Sequence, residues 1–226
     1  MNFYLEWERN LANIIANTSY TKRFLLKDEE SLKIFNNATY EELVKVCKFL
    51  LKIPISNFIY CINEDRNCDS SMIPQFSNFE HGIIDVAKVL KFNKKEMSFS
   101  ELGKIIIKAK EDGACKKYGE NHAKLACELS MVKIERKKSY MVSNTSFGNF
   151  SVNLSDEDRI ELVKRLILRN EFIQKIIYLA KKGPVSYMNV ASETLSESTA
   201  VRRKSNIRKL IYLVVENDNL IRNIMW

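Results

Sequence analysis

Histidine occurs only twice in these 226 residues, at His81 and His122, and the five cysteines (Cys47, Cys61, Cys68, Cys115 and Cys127) form no CxxC pair. A zinc site needs nitrogen or sulfur ligands at tight spacing, and an odd cysteine count without paired spacing gives no disulfide framework. Cys61 and Cys68 flank the polar run INEDRN, where a metal loop is conceivable; free thiols are the expected state. No metal and no cofactor is expected. No apolar run approaches the ~20 residues that span a bilayer. The opening MNFYLEWERN carries acids where a secretory leader carries bases. The chain is therefore expected in the cytoplasm and off the membrane. The P-loop, nucleophile-elbow and HExxH patterns are all missing, so the chemistries that depend on them are not expected.

What is present is an uneven positive charge. The formal net charge is +8, but residues 1–78 carry 9 Lys and Arg against 10 Asp and Glu, while residues 79–226 carry 27 against 18. The basic excess belongs to the later two-thirds, which points to an anionic partner there, nucleic acid before membrane. A hydrophobic share of 46% and a charged share of 28% are ordinary for a globular protein with a core.

Helical periodicity dominates the chain. Leu5, Leu11, Ile14 and Ile15 predict a helix over residues 3–17, and a second is expected over 28–36, capped near Asp28. A third runs over 39–52, where Thr39 and Glu42 have capping-box spacing and Pro54 ends it. Residues 53–78 read as an irregular linker and domain boundary. Phe3, Trp7, Phe35 and Phe49 are expected to fill an N-terminal core, with a homodimer or partner surface as the alternative.

From residue 79 the order changes. Helices are expected at 82–92, after the capping serines Ser98 and Ser100, and at 120–129, with EDGACKKYG as a turn before the last. A strand at 131–135, a basic tip RKKS and a returning strand at 140–142 complete a hairpin. After a spacer at 145–154 the order resumes with a helix capped by Ser155, a helix at 171–182 stopped by Gly183 and Pro184, a short helix capped by Ser186, and a long helix at 195–215. The run at 217–219 reads as a turn into a reduced second wing. Three helices followed by a hairpin is winged-helix order. The expected fold is mainly α: an N-terminal helical domain (1–78) and two winged-helix, helix-turn-helix domains (79–150 and 151–226) with short β-hairpin wings.

The helix at 195–215 organises the functional reading. Ser196 and Ser198 offer N-cap oxygens, and Ile207, Leu210, Ile211 and Val214 form one apolar stripe. Ser198, Arg202, Ser205 and Lys209 fall roughly opposite that stripe, flanked by Arg203, Lys204 and Arg208. An apolar back with a hydroxyl-and-arginine front suits a DNA groove; a solvated basic face is the plainer alternative. Lys116, Lys117, Asn121, His122 and Lys124 mark the counterpart helix, and Arg136, Lys137 and Lys138 the first wing tip. Most of these would pair with phosphates, while Arg202 suits guanine and Asn121 adenine. For His122, a polar residue satisfied at the helix surface is an equal reading.

The run GENHAKLACELSMVKIERKKSYMVS, the acidic-started helix after it, and ILRNEFIQKIIYLAKKG resemble the tandem winged-helix recognition region of FokI-type restriction endonucleases and related restriction or phage-defence modules. The resemblance covers roughly residues 110–216. In that family a separate nuclease domain cuts, and no domain of that size is recognisable here. The resemblance implies a recognition or regulatory subunit of a restriction, phage-defence or transcriptional system, with any catalysis supplied by another polypeptide.

Three functional readings follow. One is a double-stranded DNA-binding protein without chemistry of its own, working beside a nuclease subunit. A second is a KITE-like interaction subunit of an SMC-type ATPase complex. The third is a small Mg-dependent restriction endonuclease built on Asp112, Glu135 and Lys137, a loose pattern that a Lys- and Glu-rich chain produces by chance. A Cys–His pair of His122 with Cys115 or Cys127 is a further arrangement, against which buried cysteine is the ordinary reading. The first reading is the expectation, with no catalytic residue.

Overall fold

The structure is a computed structural model that describes residues 18–93, 96–107 and 112–226. The helix expected over residues 3–17, with Phe3 and Trp7, lies outside the described residues. The chain is mainly helical, with thirteen α-helices among the described residues, one three-stranded antiparallel sheet and one two-stranded pairing. No described helix is long and apolar enough to cross a membrane.

The chain divides into two compact units, and neither is continuous in sequence. The first takes the described residues up to Leu32 with Val46–Ile73 and Ile167–Trp226; the second takes Lys33–Lys45 and Pro74–Leu166. Helices α1 (Thr18–Leu25), α2 (Glu29–Asn37), α3 (Tyr40–Lys52) and α4 (Ile55–Cys61) come first in the chain. Asp28 caps α2 by accepting the Ser31 amide at 2.8 Å, and Thr39 and Glu42 exchange the two bonds of a capping box at the start of α3. Part of the stretch expected as linker is α4: Ile55, Phe58 and Ile59 stand at helical spacing behind Pro54, and burial of Ile55 and Phe58 stabilises the turn.

In the second unit a helix from Phe79 passes through a π-helical turn, His81–Asp85, into α5 (Val86–Asn93). Then come β1 (Met97–Ser98), α6 (Phe99–Ile107), α7 (Asp112–Glu128), β2 (Val132–Arg136) and β3 (Tyr140–Asn144). Strand β3 lies between β1 and β2, with Val142 opposite both Met97 and Ile134. The segment EDGACKKYG, expected as a turn, is almost wholly the first half of α7. The second of its two glycines, and the one in α6, serve packing: a Cβ on Gly119 would lie 2.0 Å from the Phe99 carbonyl oxygen, and one on Gly103 would lie 1.9 Å from that of Cys115. Two helices can approach this closely only where glycine removes the side chain. The expected spacer at 145–154 contains α8 (Ser146–Ser151), capped by Thr145, whose hydroxyl accepts the Gly148 amide. Helix α9 (Asp156–Ile167) follows, with Ser155 accepting the Asp158 amide at 3.1 Å.

The first unit carries α10 (Glu171–Lys182), β4 (Val185–Ser186), α11 (Tyr187–Ser192), α12 (Glu197–Val214), α13 (Asp218–Arg222) and β5 (Ile224–Met225). The order helix, short strand, helix, helix thus occurs in each unit. The endings differ. Where a turn into a second wing was expected, Asn217 caps α13 by accepting the Asn219 and Leu220 amides. Strand β5 then pairs with β4 in parallel, Val185 opposite Ile224, so no hairpin forms here.

Candidate nucleic-acid interface

Helix α12 is fixed on the first unit by its back. Ile207, Leu210, Ile211 and Val214 are buried, as their spacing predicts. Burying such a stripe contributes roughly 1.5–3 kcal/mol per large aliphatic side chain. The N-terminal half is held by polar contacts. The buried Tyr187 of α11 donates its hydroxyl to the Ala200 carbonyl at 2.9 Å, and burial pushes its phenol pKa up to about 12. Ser196 occupies the N-cap by backbone conformation, but its hydroxyl donates to the Thr199 hydroxyl and takes no amide.

The front of α12 is exposed at Ser198, Arg202, Ser205, Arg208 and Lys209, and Lys204 is half-buried. Arg202 donates to the Thr199 hydroxyl at 3.0 Å. Arg208 stacks on Tyr212 with its guanidinium 5.3 Å from the ring centroid, and 6.0 Å from that of Trp226. Among the described residues no carboxylate pairs with Arg202, Lys204 or Arg208. The aromatic partner of Arg208 was legible four residues on, at Tyr212, since such neighbours share a helix face.

Arg203 departs from the expected front. It donates from Nη1 to the carbonyls of Ser70 and Ile73, each at 2.7 Å, and burial lowers its pKa. The signal was in the spacing: Arg203 stands three residues after buried Ala200 and four before buried Ile207, on the side of the apolar stripe.

In the second unit the counterpart helix α7 presents a different surface. Lys116, Lys117 and Lys124 are exposed and Asn121 is half-buried. Glu120 pairs with Lys117 at 3.1 Å and with Lys124 at 2.6 Å, so two of the three lysines are neutralised on the helix itself. His122 is not on this surface, which corrects its place among the phosphate-facing residues. It is fully buried, its Nδ1–H donates to the Tyr118 carbonyl at 2.8 Å, and its Nε2 accepts the Asn78 amide at 3.2 Å. Both ring nitrogens are thereby occupied, so neither serves a Cys–His pair. Burial depresses its pKa.

On the β2–β3 hairpin, Arg136, Lys137 and Lys138 are exposed at the tip. Glu96 grips Lys137 at 2.6 Å, while Arg136 lies 5.9 Å over the Tyr140 ring and Lys138 meets no carboxylate among the described residues. Of the nuclease-like set, Glu135 pairs with Lys133 at 3.1 Å and Lys137 with Glu96; the Asp112 side chain lies outside the described residues. Among the described residues no three His, Cys, Asp or Glu side chains gather as a metal would require.

No protein-family model matches the chain, and neither curated proteins nor solved structures give a match.

Proposed function

We propose that this chain binds double-stranded DNA, with the front of α12 as its principal contact. Both units are read as winged-helix modules. In the second, β1, α6, α7 and the β2–β3 hairpin stand in winged-helix order, with β1 pairing to β3. The first repeats the order up to its third helix, α12, and replaces the wing with α13 and β5. The single observation that carries the reading is the state of the charges: Arg202, Lys204 and Arg208 stand on one helix with no carboxylate partner among the described residues, whereas two of the three α7 lysines, Lys117 and Lys124, are held by Glu120. Unneutralised cations on a helix with a buried back suit phosphates and base edges. Arg136 and Lys138 on the hairpin supply further phosphate contacts. The setting, a recognition or regulatory subunit beside a nuclease or in transcriptional control, rests on the resemblance to FokI-type recognition regions.

Fluorescence anisotropy of a labelled duplex across a salt series tests the proposal. Affinity is expected to fall steeply with salt, and Lys204→Ala/Arg208→Ala to reduce the slope of log K against log salt by about 1.8, at ~0.9 per phosphate contact. Absence of binding at low salt, or an unchanged slope in the double variant, would make the basic front solvated surface. The interaction-subunit reading would then lead.

A further inference from the structure

Arg202 and Arg203 are neighbours in sequence with opposite environments. Arg202 is exposed and donates from Nη2 to the Thr199 hydroxyl three residues earlier, a contact that engages one nitrogen of the guanidinium. Arg203 is drawn inward onto two main-chain carbonyls. Those carbonyls belong to a braced segment. Asp69 accepts the Ser71 amide at 2.7 Å and closes a 3-10 turn at Ser70–Met72, and Asn170 donates to the Met72 carbonyl at 2.8 Å. The Arg203 site is costly. Its charge is partly desolvated, no carboxylate among the described residues offsets it, and its buried Nε has no hydrogen-bond partner there. An apolar side chain would fill this position on the buried side of the helix more cheaply. What the guanidinium adds is a two-point attachment of the N-terminal half of α12 to a rigid turn.

Resting on the DNA-binding reading above, we propose that Arg203 is a positioning residue, clamping α12 so that Arg202, indexed by Thr199, selects a guanine in the duplex. A guanidinium engaged at one nitrogen still matches the paired acceptors O6 and N7 of guanine in the major groove. The selection works only if the helix axis is held, because a small rotation of α12 would carry the fork off the base edge.

The test is selection of bound duplexes from a pool with a randomised centre, read by sequencing, together with salt-series affinities on the selected duplex. Wild type is expected to enrich one guanine position by about tenfold or more, the scale of a good bidentate contact. Arg202→Met is expected to abolish that enrichment and to leave the salt slope unchanged, since a base contact neutralises no phosphate. Arg203→Met is expected to weaken the enrichment about threefold without abolishing it and with an unchanged slope, since no phosphate contact is lost, and Arg203→Lys to restore it in part. Should Arg203→Met fail to fold, Asp69→Ala, which loosens only the turn that receives the clamp, is expected to reduce enrichment in the same direction. Enrichment that survives Arg202→Met overturns the assignment. So does a fall in salt slope of about one in Arg203→Met, which would make Arg203 a phosphate contact. Binding of the pool without any guanine preference overturns this inference and leaves the DNA-binding reading standing; no binding of the pool at low salt overturns that reading itself.

Discussion

Gly119 in α7 faces the backbone of Phe99 in α6 so closely that an added Cβ would stand 2.0 Å from the Phe99 carbonyl oxygen. No rotamer relieves such a contact, because the obstacle is main chain. Gly119→Ala is therefore expected to push the two helices apart and destabilise the second unit by about 3 kcal/mol, at the upper end of overpacking costs. Gly113→Ala, whose Cβ would meet nothing within 4 Å, is the control and is expected to be neutral or slightly stabilising. Thermal melts followed by circular dichroism compare the two. Equal melting temperatures would show that the close crossing is not required.

His122 makes stability depend on pH with a definite sign. Burial lowers its pKa below the ordinary histidine value, and the Asn78 amide occupies Nε2, the nitrogen that would take the second proton. The unfolded chain therefore binds more protons than the folded one between the lowered pKa and about 6.5. Stability is complete above that upper value and falls as pH drops through the window. Urea midpoints measured at neutral and mildly acidic pH should decrease on acidification in wild type, and the decrease should shrink in His122→Gln. An identical pH profile in the two proteins would assign the effect to other groups.

The Tyr187 hydroxyl anchors α11 to the Ala200 carbonyl in α12. Tyr187→Phe keeps the buried ring, which lies 6.2 Å from that of Phe172, and removes only the donor. A loss of about 1 kcal/mol is expected from denaturant unfolding. On the DNA-binding proposal, the salt dependence of duplex binding should stay unchanged, since no exposed cation is altered. A steep loss of salt dependence would mean that the bond governs more than stability.

Charge pairing separates two adjacent lysines on the hairpin tip. Glu96 holds Lys137 and raises its pKa, whereas Lys138 meets no carboxylate among the described residues. Lys138→Ala is expected to reduce the salt slope of duplex binding by about one phosphate, and Lys137→Ala to change it by clearly less. Equal effects of the two would show that the Glu96 pair opens on binding.

On the same reasoning, Glu120→Gln frees Lys117 and Lys124 on α7. With α12 as the contact helix, duplex affinity is expected to change less than about twofold. A rise of tenfold or more would bring α7 into the interface.

Periodicity was enough to locate α12 and its buried stripe, because residues at i, i+3, i+4 and i+7 share a face whatever surrounds the helix. Local side-chain chemistry likewise marked the caps at Asp28, Thr39, Ser155 and Ser186, and alternation marked the β2–β3 hairpin. The fate of EDGACKKYG was not local: glycine signals a turn or a close helix contact alike, and only the neighbouring α6 backbone at Phe99 decides between them. The parallel pairing of β5 with β4 rests on residues about forty positions apart, Val185 and Ile224. The same holds for the charges. Sequence alone determined that five bases share α12. Tertiary structure decided that Arg203 turns to the carbonyls of Ser70 and Ile73 while Arg202 stays exposed, and that His122 is buried, because burial and hydrogen-bond partners belong to segments brought together only by folding.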